Sequence, residues 1–140
     1  MVNAMAATIN SGGALKLASS EEIASLAGAG LVNLQGNTLT LSGGTSANTT
    51  YSGTMSGAGM LVKNGSSVFT LTGSNTFSGG VNFSNGAIQL GNNAALGTGT
   101  LTATGGRISS DSTTSRTASN AVVISGTVTM GDLVNRGTLT

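Results

Sequence analysis

The sequence predicts an all-β fold: a parallel β-solenoid, or β-helix, of about six stacked coils in one domain. Three observations predict it. Apolar residues alternate with hydroxyl-bearing ones in many short runs, Gly-rich corners separate those runs, and whole phrases recur along the chain.

Composition comes first, because it decides whether the chain folds at all. Gly (23), Thr (21), Ser (19) and Asn (13) make 76 of the 140 residues. A linker of that composition would be disordered, but disordered chains are rich in Pro and charge. This one has no Pro and only nine charged residues, with a net charge of +1. No run approaches the ~18 apolar residues of a membrane helix. Met1 to Ile9 has neither a basic start nor a continuous apolar stretch, so an intact signal peptide is not expected there.

The strands follow from period-two alternation. Leu39 and Leu41 alternate with Thr38, Thr40 and Ser42, and Phe69 and Leu71 alternate with Thr70 and Thr72. Ile88 and Leu90 flank Gln89, Leu101 and Ala103 sit among Thr100, Thr102 and Thr104, and Val128 and Met130 flank Thr129. The inward column is expected to hold Leu15, Leu17, Leu39, Leu41, Phe69, Leu71, Ile88, Leu90, Leu101, Val122 and Ile124. Outward Thr and Asn are expected to form hydrogen-bonded ladders.

Corners are expected at Ser11-Gly12-Gly13, Gly28-Ala29-Gly30, Gly43-Gly44, Gly57-Ala58-Gly59, Asn64-Gly65, Gly79-Gly80, Asn85-Gly86 and Gly105-Gly106. Gly and Asn tolerate positive φ there, and the Asn-Gly pairs would equally serve antiparallel hairpins. Repetition favours the solenoid. Gly28-Ala29-Gly30-Leu31-Val32 recurs 29 residues on, with one insertion, as Gly57-Ala58-Gly59-Met60-Leu61-Val62. Thr40-Leu41-Ser42-Gly43 recurs 30 residues on as Thr70-Leu71-Thr72-Gly73, and Thr102-Ala103-Thr104-Gly105 follows 32 later. Coils of roughly 20 to 25 residues, stacked about 4.8 Å apart, would make a stub about 30 Å long.

Ser19 to Leu26 departs from the alternation. Two early acids and Ile23 and Leu26 allow one helical turn, but a lateral loop is the stronger expectation for so short a segment. Neither end of the chain resembles a cap, so the chain reads as an excerpt of a longer protein.

Several phrases in order resemble a known family. They begin with Ser25-Leu26-Ala27-Gly28-Ala29-Gly30 and Asn37-Thr38-Leu39-Thr40-Leu41. Tyr51-Ser52-Gly53-Thr54-Met55-Ser56-Gly57-Ala58-Gly59 then leads into Leu61-Val62-Lys63-Asn64-Gly65. Phe69-Thr70-Leu71-Thr72-Gly73-Ser74-Asn75-Thr76-Phe77-Ser78-Gly79-Gly80 and Asn85-Gly86-Ala87-Ile88-Gln89-Leu90-Gly91 follow. This order resembles the autotransporter-associated β-strand repeat, also called the passenger-associated transport repeat, over about residues 23–140, with one full repeat near 51–91. Ser66-Ser67-Val68, Phe83, Met55 and Met60 depart mildly from its pattern. The resemblance implies a right-handed parallel β-helix in a secreted or surface-displayed bacterial passenger, with a C-terminal outer-membrane barrel as partner in the parent protein. It carries no catalytic or ligand residues.

The residues agree with that. With no His and no Cys, a zinc site of the usual kind and a Ser-His-Asp or Cys-His unit are excluded. Lys16, Lys63, Arg107, Arg116 and Arg136 are too scattered to grip a nucleic acid. Glu21 and Glu22 would point to opposite faces of a strand, and read as solvated. Arg107 with Asp111, and Asp132 with Arg136, read as surface pairs. Two aspartates cannot supply a repeated calcium-binding motif. Asn48-Thr49-Thr50, Asn64-Gly65-Ser66 and Asn82-Phe83-Ser84 match the glycosylation sequon, as chance allows in so Asn-rich a chain. Tyr51, Phe69, Phe77 and Phe83 are expected in the core or its corners rather than on a stacking platform.

The expected function is therefore non-catalytic: a β-helical stalk that aids export and folding, at the cell surface, with no cofactor or metal. Cysteine usage does not fix the compartment. The alternatives are a self-associating or adhesive module joined through exposed strand edges, and, remotely, an ice-binding face. The latter would need Thr38/Thr40, Thr70/Thr72, Thr100/Thr102, Thr127/Thr129 and Thr138/Thr140 on one flat surface, and their spacing is uneven.

Overall fold

A computed structural model describes residues 5–131 and 137–140 of the chain. Sixteen short strands wind in stacked coils, and every pairing among the described residues is parallel. The first coil holds β1 (Ala6–Ile9), β2 (Ala14–Lys16) and β3 (Glu21–Ile23). The second holds β4 (Ser25–Gly28), β5 (Leu31–Asn33) and β6 (Thr38–Leu41). The third holds β7 (Thr49–Tyr51), β8 (Thr54–Ser56) and β9 (Met60–Lys63). Later coils keep two strands each: β10 (Val68–Leu71) with β11 (Val81–Phe83), β12 (Ala87–Leu90) with β13 (Leu101–Ala103), and β14 (Arg107–Ser110) with β15 (Val122–Ile124). A seventh rung begins at β16 (Thr129–Met130).

Three sheets result. Seven strands form the first face in the order β1-β4-β7-β10-β12-β14-β16, six form the second in the order β3-β6-β9-β11-β13-β15, and β2-β5-β8 form the third. Partners lie about one coil apart: Thr70 bonds Gln89 across 19 residues and Ser52 bonds Gly28 across 24. The fold is thus the β-solenoid of about six turns that the alternation and corners predict, and the Asn-Gly pairs close coils rather than hairpins.

Over one long stretch, the alternation of inward and outward residues passes through a corner without a break. From Gly59 to Phe77 every odd-numbered residue is buried and no even-numbered one is: Gly59, Leu61, Lys63, Gly65, Ser67, Phe69, Leu71, Gly73, Asn75, Phe77. The core is one continuous cluster running from Leu17 to Ile108. All four aromatic residues lie inside it, at most 1% exposed.

Several corner glycines take positive φ as expected, among them Gly28, Gly57, Gly86 and Gly106, but others are required by close stacking alone. A Cβ on Gly53 would lie 1.9 Å from the Gly30 carbonyl oxygen, and one on Gly73 would lie 1.9 Å from that of Gly53. Neither residue has positive φ. The coil below simply occupies the space a side chain would need.

Three further expectations are corrected, and one is sharpened. Ser19 to Leu26 forms neither a helical turn nor a loop; it supplies β3 and β4, because pairing Ile23 beside Leu41 satisfies its backbone and Leu26 is fully buried. Val122 and Ile124 are 46% and 50% exposed, on the last strand of the second sheet. As coils of 20 to 25 residues imply, the 30-residue phrases do not stack on one another. Thr40 and Leu41 lie on β6 in the second sheet, Thr70 and Leu71 on β10 in the first, so the recurrence spans more than one coil and lands on a different face. Finally, Asn37, Asn48, Asn75, Asn93 and Asn120 bond backbone in an adjacent coil rather than one another. Asn37 Nδ2 donates to the Leu17 carbonyl at 3.0 Å, Asn48 Oδ1 accepts the Val68 N–H at 2.7 Å, and Asn93 Oδ1 accepts the Thr117 N–H at 3.1 Å.

Candidate functional site: polar residues inside the coil stack

The alternation that buries Leu61 and Leu71 also buries three polar residues of the same parity: Lys63, Ser67 and Asn75. Lys63 ends β9 in the inward column, beside Leu41 of the coil below and Phe83 of the coil above. Its side chain is 0% exposed. The ammonium runs along the interior to the next corner, where Nζ donates to the Gly65 carbonyl and, at 3.4 Å, to that of Asn85. A Cβ on Gly86 would lie 2.8 Å from Nζ, so glycine at this corner leaves room for the ammonium. Burial pulls the Lys63 pKa down to about 8.

Asn75 lies on the third face, where the fourth coil has no strand. Its Oδ1 accepts the Met55 N–H at 2.7 Å and its Nδ2 donates to the Ala95 carbonyl at 2.6 Å, each 20 residues away. The amide therefore does between the third, fourth and fifth coils what strand pairing does between Leu15, Val32 and Met55 below it. Asn120 plays a similar part higher up, donating to the carbonyls of Gly99 at 2.6 Å and Gly97 at 3.2 Å.

Tyr51 completes the interior polar set. Its hydroxyl donates to the carbonyls of Gly30 (2.8 Å) and Thr54 (3.1 Å). Burial pushes its pKa up to about 12, against a smaller opposing effect of a backbone hydrogen bond from Val32. Tyr51, Lys63 and Asn75 are at most 2% exposed, and their polar atoms bond backbone groups.

Residues 61–90 match the family model described as the passenger-associated-transport-repeat. This stretch is such a repeat. It runs from Leu61 on β9 to Leu90 at the end of β12, and it contains Lys63, Ser67 and Asn75. Of the positions that carried the resemblance in the sequence, Leu61, Lys63, Gly65, Leu71, Gly73, Asn75 and Phe77 point inward, while Thr70 and Thr72 do not. Neither a curated protein nor a solved structure matches the chain.

Sequence reasoning counted Lys63 among scattered surface cations and missed its burial. Parity was the available signal, since Lys63 stands two residues after Leu61. The other singled-out residues do not converge. Glu21 and Glu22 lie on a strand, both exposed, and Glu21 accepts a hydrogen bond from Ser19 Oγ at 2.8 Å. Asp111 pairs with Arg116 at 3.1 Å, and Asp132 and Arg136 lie outside the described residues. Thr38 and Thr40 sit on the second sheet while Thr70 sits on the first, so the Thr-x-Thr pairs share no single face.

Two shallow depressions meet on the outer face of the first sheet. One is lined by Asn48, Thr49, Thr50, Val68, Thr70 and Gln89, the other by Ser66, Val68, Ala87, Arg107 and Thr129 among others. Their side chains offer hydrogen bonds and one guanidinium, with no carboxylate among them for acid-base work.

Proposed function

We propose that this chain is a non-catalytic structural segment of a bacterial autotransporter passenger, a β-helical stalk whose coil-by-coil folding outside the cell aids export. The observation that carries it is the unbroken in-out alternation from Gly59 to Phe77, overlapping the matched repeat. Solenoid coils contact only their neighbours, so each folded coil is a template for the next and a chain can fold as it emerges. In this reading the parent protein is secreted or surface-displayed, with an outer-membrane barrel as the export partner. The test places the chain between an export signal and such a barrel and measures surface display by protease accessibility. Display should exceed that of a Gly/Ser linker of equal length. Equal display would defeat the export-aiding role and leave the stalk.

A second reading, a self-associating module, draws on Val122, Val123 and Ile124, which are 46 to 50% exposed on a strand with no further partner among the described residues. Sedimentation of the purified chain over a range of concentration separates the two.

A further inference from the structure

Apolar columns hold the coils together without saying which residue must stack on which. Thr40-Leu41-Ser42-Gly43 and Thr70-Leu71-Thr72-Gly73 share one in-out parity, so a coil of 30 residues would place Leu71 over Leu41 and still bury both. Gly-rich strands with hydroxyl faces specify register weakly, because a slip by an even number keeps every leucine inside. The native coils nevertheless bond at spacings of 17 to 24 residues.

Two interior side chains break the degeneracy. Lys63 needs the carbonyls of Gly65 and Asn85, and Asn75 needs the Met55 N–H and the Ala95 carbonyl. A slipped coil takes both partners from Asn75 and the Asn85 carbonyl from Lys63, which keeps only the Gly65 carbonyl of its own corner. A buried amide left unpaired and an ammonium left under-paired among leucines cost far more than a misplaced methyl group. One buried asparagine sets register in coiled coils by the same means.

We propose that Lys63 and Asn75 are the register keys of this solenoid, selecting the coil of about 20 residues over the 30-residue stacking that the repeated phrases permit. The claim stands apart from the passenger reading, since it concerns only which coil the chain forms.

The chain has no cysteine, so pairs introduced on outward positions report register by disulfide formation after refolding. Thr70→Cys with Gln89→Cys reports the native register, in which these residues are direct partners. Thr40→Cys with Thr70→Cys reports the slipped one, because β6 and β10 belong to different sheets in the native fold. With the native interior, only the first pair should close. In a Lys63→Met, Asn75→Leu background the slipped pair should rise roughly tenfold. Closure of the native pair alone in that background overturns the proposal. Should the double variant give a random-coil spectrum, Asn75→Leu alone is scored by the same two pairs. Failure of both variants to fold also overturns it, since register keys choose between folded states and do not create them.

Discussion

Asn75 Oδ1 accepts the Met55 backbone N–H at 2.7 Å in the solenoid interior, taking the place of a strand partner where the third sheet ends at β8. Asn75→Ala would orphan that donor and the Ala95 acceptor together. Each buried unpaired group costs about 1–3 kcal/mol, so a loss of roughly 2–5 kcal/mol is expected. Urea unfolding checks it. An unchanged midpoint would mean the amide is not holding these coils.

Lys63 makes stability depend on pH in an unusual direction. Its folded pKa of about 8 lies below the 10.5 of the unfolded chain. Between those values the unfolded state holds a proton that the folded state has released, so stability rises with pH through that window. Below about 8 both states are protonated and the full penalty of the buried ammonium applies. Lys63→Met should flatten the rise, as unfolding midpoints at pH 7.5 and pH 9.5 would reveal. A wild-type midpoint that fell over this range would contradict the assignment.

Tyr51 acts oppositely at higher pH. Its folded pKa near 12 exceeds the unfolded value of 10, so the folded state keeps a proton that the unfolded state loses. Its contribution is intact below pH 10 and declines above it. Tyr51→Phe should remove the decline at a cost of about 1 kcal/mol near neutrality, from the lost bonds to the Gly30 and Thr54 carbonyls. Difference spectra of tyrosine ionisation, taken with the stability curve, decide it.

Two glycines separate steric need from turn chemistry. Gly53→Ala would push a methyl to 1.9 Å from the Gly30 oxygen and should cost about 3 kcal/mol or more by overpacking. Gly36→Ala meets nothing within 4 Å and should stay within about 0.5 kcal/mol of the parent. Thermal melts of the two variants would refute the columnar explanation if they shifted alike.

Glu21 lies on β3, the last strand of the second sheet among the described residues on that side. It occupies the same column as Leu39, Leu61, Val81, Leu101 and Val122, and with Leu17, Ile23 and Leu39 it lines an opening into the core. Head-to-tail stacking of copies would set its carboxylate on Val122, and an inward-pointing charge is a known protection of sheet edges. Glu21→Leu should tighten self-association roughly tenfold, about 1.4 kcal/mol, in sedimentation experiments. No change in mass would show that these ends do not meet.

Much of this was readable from the amino acids alone. Strand identity, the corners and the burial of Leu39, Leu41, Phe69, Leu71, Ile88 and Leu90 follow from alternation, a property of neighbouring residues that needs no partner to be seen. The matched repeat was readable for the same reason, since its pattern is the order of inward residues along one and a half coils. Tertiary structure decided what depends on the coil above and below. It placed the 30-residue phrases on different faces, made Gly53 obligatory through a carbonyl 23 positions earlier, left Val122 half-exposed on the last described strand of its sheet, and turned Lys63 from one of five scattered cations into a buried donor. Each of those outcomes is set by contacts about 20 residues distant, and the length of a coil is fixed only when the whole stack closes.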